Sequence, residues 1–115
     1  MPEAFISAGK LNRRILILAQ STAQDESGQQ INTWKPVLNT RASIHAATGR
    51  EIYAAAGFTS QLTHVVTIRF NPAITIKSSQ RVKYRDRTFD IQAVSDPTEG
   101  RRQLDLLCLE IDGGQ

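Results

Sequence analysis

The chain has 115 residues, 40% of them hydrophobic and 22% charged, with a net charge of +3. Such a length and composition describe one ordinary globular domain, expected over 1–115 with its core at about 8–111, able to bury a core without metals or disulfides. No apolar run is long enough to span a membrane, no charged segment leads into an apolar core as a secretory leader would, and the lone Cys108 excludes an intrachain disulfide, which fits a reducing cytoplasm.

The basic excess sits early, at Lys10, Arg13, Arg14, Lys35, Arg41 and Arg50. A second basic group, Arg81, Lys83, Arg85 and Arg87, is partly offset by Asp86 and Asp90. This potential favours a nearby polyanion but falls well short of a dedicated DNA-binding face.

Strand signals dominate. Arg14 to Gln20 is a β-rich run, followed by a polar hairpin loop over 21–28 in which Gly28 can take a positive φ. Gln30 to Lys35 predicts a second strand that lies on an edge or stops at Pro36, which lacks an N–H. Leu38 to Ala46 alternates, with Ala42, Ile44 and Ala46 on one face and Arg41, Ser43 and His45 on the other.

The segment Thr48 to Gln61 follows. It is small, Ala-rich and carries only Arg50 and Glu51 as charges. About a dozen residues is long for a connection, since most span about 4–6, so the protein is expected to use it. Arg50 to Ala56 is the helical candidate, good for a turn or two.

Leu62 to Phe70 is the clearest strand, with Val66, Ile68 and Phe70 facing in and Val65, Thr67 and Arg69 facing out. Asn71-Pro72 stops it, and Ile74 to Ile76 reads as a short strand. Arg81 to Tyr84 pairs with Thr88 to Val94 across a tight Arg85-Asp86-Arg87 turn, with Phe89, Ile91 and Ala93 inward. Asp96 to Gly100 is a turn, and Leu104 to Ile111 is the last strand, with Leu104, Leu106 and Cys108 in phase. The residues 112–115 are expected to fray. Roughly six to seven short strands with turns between them predict an all-β protein, a small antiparallel barrel or closed sandwich with one long loop that carries a short helical candidate.

No catalytic constellation emerges. His45 and His64 read as surface-strand residues, and a zinc site would need further ligands. Cys108 has apolar neighbours, which make a thiol inert. Asp90 and Asp105 point outward and should pair with arginines across strands. Gly49 and Gly57 lack the spacing of a phosphate loop. Neither enzymatic activity, cofactor nor metal is expected. The basic clusters read first as solvated or pairing with acids on a neighbouring chain, and no aromatic platform suits single-stranded nucleic acid.

Several pieces occur in a telling order: Gly9-Lys10-Leu11-Asn12-Arg13-Arg14-Ile15, then Asp25-x-x-Gly28 and Trp34, Ala42-Ser43-Ile44 before Thr48-Gly49-Arg50-Glu51, and Thr63 to Phe70. Arg81-Val82-x-Tyr84, Arg87-Thr88-Phe89-Asp90-Ile91, Asp96-Pro97 and Leu104-x-Leu106-Leu107-Cys108 complete the series. Over about 8–110 this order resembles the head–tail joining proteins of tailed bacteriophages, also called head closure or head completion proteins. Lys77-Ser78-Ser79-Gln80 and the residues just before it are less typical.

The resemblance implies a β-barrel subunit of a virion ring at the head–tail interface, made in the host cytoplasm. Such a ring sits below a portal or adaptor, extends or closes the channel for packaged double-stranded DNA, and docks tail proteins, with no membrane partner. It also implies that the long loop acts as a channel or gating element, through Thr48, Gly49, Arg50, Glu51, Ile52, Tyr53, Gly57 and Phe58. Lys10, Arg13, Arg14, Arg81, Lys83, Arg85 and Arg87 would face a partner or DNA. The rival expectation is a small barrel that binds nucleic acid outside a virion.

Overall fold

The computed structural model describes residues 11–24, 26–28, 30–57, 61–96, 100 and 102–111. Six strands run β1 (Arg13–Gln24), β2 (Gln30–Ala46), β3 (His64–Arg69), β4 (Arg81–Tyr84), β5 (Arg87–Ser95) and β6 (Gln103–Ile111). A helix α1 (Gly49–Ala54) and a 3₁₀ turn (Ala55–Gly57) stand between β2 and β3. The sheet closes in the order β1-β2-β3-β6-β5-β4, antiparallel throughout. This is the expected all-β barrel.

Every strand contributes inward side chains, as alternation requires of a closed sheet. Ile15 and Ile17 come from β1, Ala42 from β2, Val66 and Ile68 from β3, and Val82 from β4. Phe89 and Ile91 come from β5, and Leu106 and Cys108 from β6. Phe89 is the largest fully buried side chain and fills the centre. Cys108 lies among these apolar groups, where desolvation pushes its thiol pKa well up and keeps it inert.

β1 and β2 are longer than the sequence pattern suggests. β1 continues to Gln24, so the hairpin loop is shorter than 21–28, and Gly28 does take a positive φ of 87°. Asp25 of that loop lies outside the described residues. Pro36 does not end β2. It pairs with Leu18 where the register slips, from Ile17↔Leu38 to Leu18↔Pro36. Val37 is then the extra residue of a bulge. β2 meets β3 only over Ala42–Ala46, so at Pro36 it has a single neighbour. The missing N–H therefore breaks no ladder on that free side, and the edge expectation holds while the strand runs on.

Three further expectations fail. Ile74 to Ile76 is not a strand: local turns take up the Ile74 N–H and the flanking N–H groups of Ala73 and Lys77. Asn71 Oδ1 accepts from the Ala73 N–H at 2.9 Å, and the Asn71 carbonyl accepts from the Ile74 N–H at 3.2 Å. Gln80 Oε1 accepts from the Lys77 N–H at 3.0 Å, while Ile76 still packs on the core. Ala93 faces out, because the register shifts between Ile91 and Ala93 and the bulge turns Val94 toward the core instead.

The outer face of β3 is not solvated either: Val65 and Thr67 are both 3% exposed. Val65 packs with Ala55 and Leu62 in a second cluster, supported by Ala47 and Leu107. β3 is thus covered on both faces, a burden usually seen in central strands. Of the turn at 96–100, residues 97–99 lie outside the described set, as do 112–115.

These contacts set one stability test. Ile68→Asp and Thr67→Asp should both unfold the domain or cost several kcal/mol, the first by burying an unpaired charge and the second by placing a carboxylate against Asp105. Thermal melts by circular dichroism check this, and a tolerated Thr67→Asp would contradict the two-sided burial of β3.

Candidate functional site

Thr48 opens α1 with an extended backbone, φ −80° and ψ 164°. Its hydroxyl accepts from the Glu51 N–H at 3.2 Å, and Glu51 Oε1 accepts from the Thr48 N–H at 2.9 Å. This reciprocal capping box lets so short a helix hold its first turn. The Glu51 carboxylate also meets His45 Nε2 at 2.9 and 3.1 Å, tying the helix to the end of β2. Burial pushes the Glu51 carboxyl up, but the Thr48 N–H and His45 outweigh it and hold its pKa below 4.5.

α1 itself buries nothing. Ala55, just after it, anchors the segment on the second cluster. Tyr53 is left 86% exposed and Ile52 46% exposed, the largest apolar side chains presented to solvent among the described residues. Thr48, Gly49, Arg50 and Gly57 are also exposed. The structure therefore brings most of the expected loop site together as a docked helix, not a slack loop. Phe58 lies outside the described residues. A half-open pocket of about 270 Å³ adjoins α1, with Val65, Ala93 and Leu107 as its apolar wall and Glu51 and Asp105 at its polar edge.

Asp105 is outward, as expected, but its partner is not an arginine. It accepts from the Thr67 hydroxyl at 2.9 Å and from the Gln103 amide at 3.4 Å. Desolvation raises its pKa against those hydrogen bonds. Asp90 does pair with an arginine: Arg81 Nε donates to its Oδ1 at 2.6 Å.

The basic residues divide by what they touch. Arg81 also stacks 4.2 Å from the centre of the Trp34 ring on β2. Arg13 and Arg85 flank Tyr84 at 5.9 and 5.3 Å. Arg85 supports the two-residue turn with a left-handed φ of 56°. Arg14 and Lys83 are exposed on the outer wall. Lys10 lies outside the described residues.

Arg87 belongs to a cluster at one mouth of the barrel. It grips Glu110 with two bonds, Nε to Oε2 at 2.8 Å and Nη2 to Oε1 at 3.0 Å, a bidentate fork. Arg87 first, through those bonds, holds the Glu110 pKa below 4.5. Arg87 Nη2 also donates to His64 Nε2 at 3.3 Å. That leaves the His64 Nδ1–H to donate to the Thr63 hydroxyl at 3.1 Å, the neutral tautomer this network selects. His64 is thus not a surface-strand residue: its ring sits edge-on to Phe89 at 5.3 Å and closes the core. The pairing of β3 with β6 and of β6 with β5 creates this cluster, so strand parity alone could only have placed its members on inward positions.

Among the described residues no group of three metal-ligating side chains converges, and no helix is long and apolar enough to cross a membrane. What the arrangement offers is surfaces. The family model of the phage head completion proteins matches residues 6–111.

The chain belongs to the phage head completion protein family.

Head completion protein gp7 of Enterobacteria phage HK97 is 26% identical over 103 residues, 87% of this chain and 92% of gp7. The solution structure of protein SF1141 from Shigella flexneri 2a superposes with a TM-score of 0.72 at 23% identity, covering 91% of this chain and 96% of that one. A chain from the virion of a native gene transfer agent particle does so with 0.62 at 20% identity, covering 88% and 96%. Both likenesses place this head completion protein in the same fold.

The mouth and the outer face give opposite pH signatures. Desolvation first, opposed by Glu110 and aided by Arg87, lowers the His64 pKa below 6.5. Its contribution to stability is then full above pH 6.5 and lost as pH falls through the folded value. Melts should decline from pH 7 to 5, and His64→Gln should flatten that decline. Asp105 is raised, so its contribution is present below its unfolded value and lost as pH rises through the folded one. Asp105→Asn, which keeps an acceptor for Thr67, should therefore melt higher than wild type at pH 7.

Proposed function

We propose that this head completion protein is a structural, non-catalytic subunit of a ring at the head–tail interface of a virion. In this reading the ring sits below a portal or adaptor, extends or closes the DNA channel, helps retain packaged DNA and docks the tail. The single observation that carries it is the family match across residues 6–111, the whole barrel and the α1 segment together. The virion setting of a structurally similar chain in a gene transfer agent particle supports it.

The physical reading is one of surfaces. α1 displays Ile52 and Tyr53 on a segment held by a cap and one buried alanine, so their exposure contributes nothing to the free fold. Apolar groups of this size gain when a neighbour covers them. α1 is accordingly the element that contacts the channel axis, a copy of itself or a neighbouring ring. A barrel that binds nucleic acid on its own is the weaker reading, because Arg81 and Arg87, two of its expected phosphate contacts, are already bound to Asp90 and Glu110.

Electron microscopy of the purified chain mixed with its portal tests the reading. Free, the chain should be a monomer or weak oligomer; with the portal, rings should form. Ile52→Ser with Tyr53→Ser should keep the wild-type melt and lose ring formation. Rings unaffected by the pair of changes would remove α1 from the interface, and no rings at all with an intact portal would sink the connector reading.

A further inference from the structure

Charge is sorted around the barrel wall. β4, β1 and β2 are consecutive in the closed sheet, and they contain Arg13, Arg14, Lys35, Arg41, Arg81 and Lys83 without one Asp or Glu. The acids of the strands lie on the opposite half, Asp90 on β5 and Asp105 and Glu110 on β6.

Within the basic half, Arg81 is held by Asp90 and Arg13 leans on Tyr84. Four cations are left facing solvent: Lys35, opposite Ala19 further along the β1–β2 pair, and the group of Arg14, Arg41 and Lys83. Arg14 and Arg41 stand directly opposite each other in the β1–β2 register. Both are exposed and both point outward, since Ile15 and Ala42 take the inward phase. Lys83 is exposed opposite Leu16, one diagonal step from Arg14, and outward because Val82 is inward. Arg14 reaches only as far as Asn39 Oδ1, at 3.4 Å, and among the described residues none of the three makes an ion pair.

Like charges directly opposite in a sheet destabilise it. Arg14 against Arg41 is therefore a cost to the free fold that an anion lying across them would reverse. The strip crosses three strands at about 4.8 Å spacing, so it is roughly 10 Å wide. A duplex presents one phosphate per strand about every 3.4 Å of axis, so such a strip can face about three phosphates. Nothing on it reads bases: it is a flat strand face bearing long cations.

We propose that the outward strip of Arg14, Arg41 and Lys83 binds the phosphate backbone of duplex DNA without sequence preference. The choice of duplex DNA over other polyanions rests on the connector reading above. It assigns the DNA contact to the barrel wall, apart from the α1 segment, and repetition around a ring would multiply a contact that is weak in one subunit.

Fluorescence anisotropy of the purified chain with a 30-base-pair duplex of arbitrary sequence tests this. Three phosphate contacts predict that affinity falls roughly 40-fold between 50 and 200 mM salt. The triple variant Arg14→Glu, Arg41→Glu, Lys83→Glu should lose binding at 50 mM salt, whereas Lys77→Glu, exposed in the connection between β3 and β4 and on none of the strip's strands, should keep it. Arg41→Glu alone should bind about tenfold or more weakly, yet melt no lower than wild type, because it gains a cross-strand pair with Arg14. A wild-type chain that ignores duplex at 50 mM salt, or a folded triple variant that binds like wild type, overturns the inference. A triple variant with unchanged DNA binding but no rings on the portal would assign the strip to a protein neighbour, leaving the connector reading intact. Strip-dependent DNA binding without rings would do the reverse.

Discussion

The structure depends on the pairing that closes the sheet. β1 meets β4 over only Leu16–Leu18 and Arg81–Lys83, with Ile17 facing Val82 at its centre. That short ladder turns six strands into a barrel and removes two edges that would otherwise invite aggregation. It also brings the inward residues of all strands around Phe89. β3 and β4 cannot be joined by a hairpin in this order, so residues 70–80 carry the chain across, held by the turns at Asn71 and Gln80. Closure makes the wall rigid on both sides, and the wall is where the surfaces of this protein are displayed.

One patch of that wall has a second layer. Ala55 of the 3₁₀ turn and Leu62 pack against Val65 on the outer side of β3, where Val65 and Thr67 are nearly as buried as Val66 and Ile68. This explains why the connection is long. It does two jobs at once, shielding a strand with Ala55 and holding Ile52 and Tyr53 away from the barrel. The capping box and the His45–Glu51 contact set the helix without using either of those side chains. A protein built this way can change Ile52 and Tyr53 with little effect on its own fold.

Much of the architecture was legible in the residues. Inward phases at Ala42, Val66, Ile68, Phe89, Ile91, Leu106 and Cys108 followed from alternation, and the Ala-rich run from Arg50 marked the helix. What failed did so where information is not local. The bulges at Val37 and Gln92 cannot be seen in a single strand, because a bulge is defined by its partner; one kept β2 running through Pro36 and the other reversed Ala93. The burial of Thr67 depends on which segment covers β3. Its pairing with Asp105 depends on β6 being its neighbour. The Arg87–Glu110–His64 cluster likewise needs two long-range pairings. Of the expected site, the residues of α1 came together, while Arg81 and Arg87 proved to be spent within the barrel wall.

The central claim is that α1 is free in the isolated chain and covered in the particle, while the barrel stays the same. Hydrogen–deuterium exchange on the isolated chain and on assembled particles measures this segment by segment. Residues 48–57 should become strongly protected on assembly, with the exchange of β3, β5 and β6 unchanged. Equal exchange of 48–57 in both states, with protection arising elsewhere, would contradict the account.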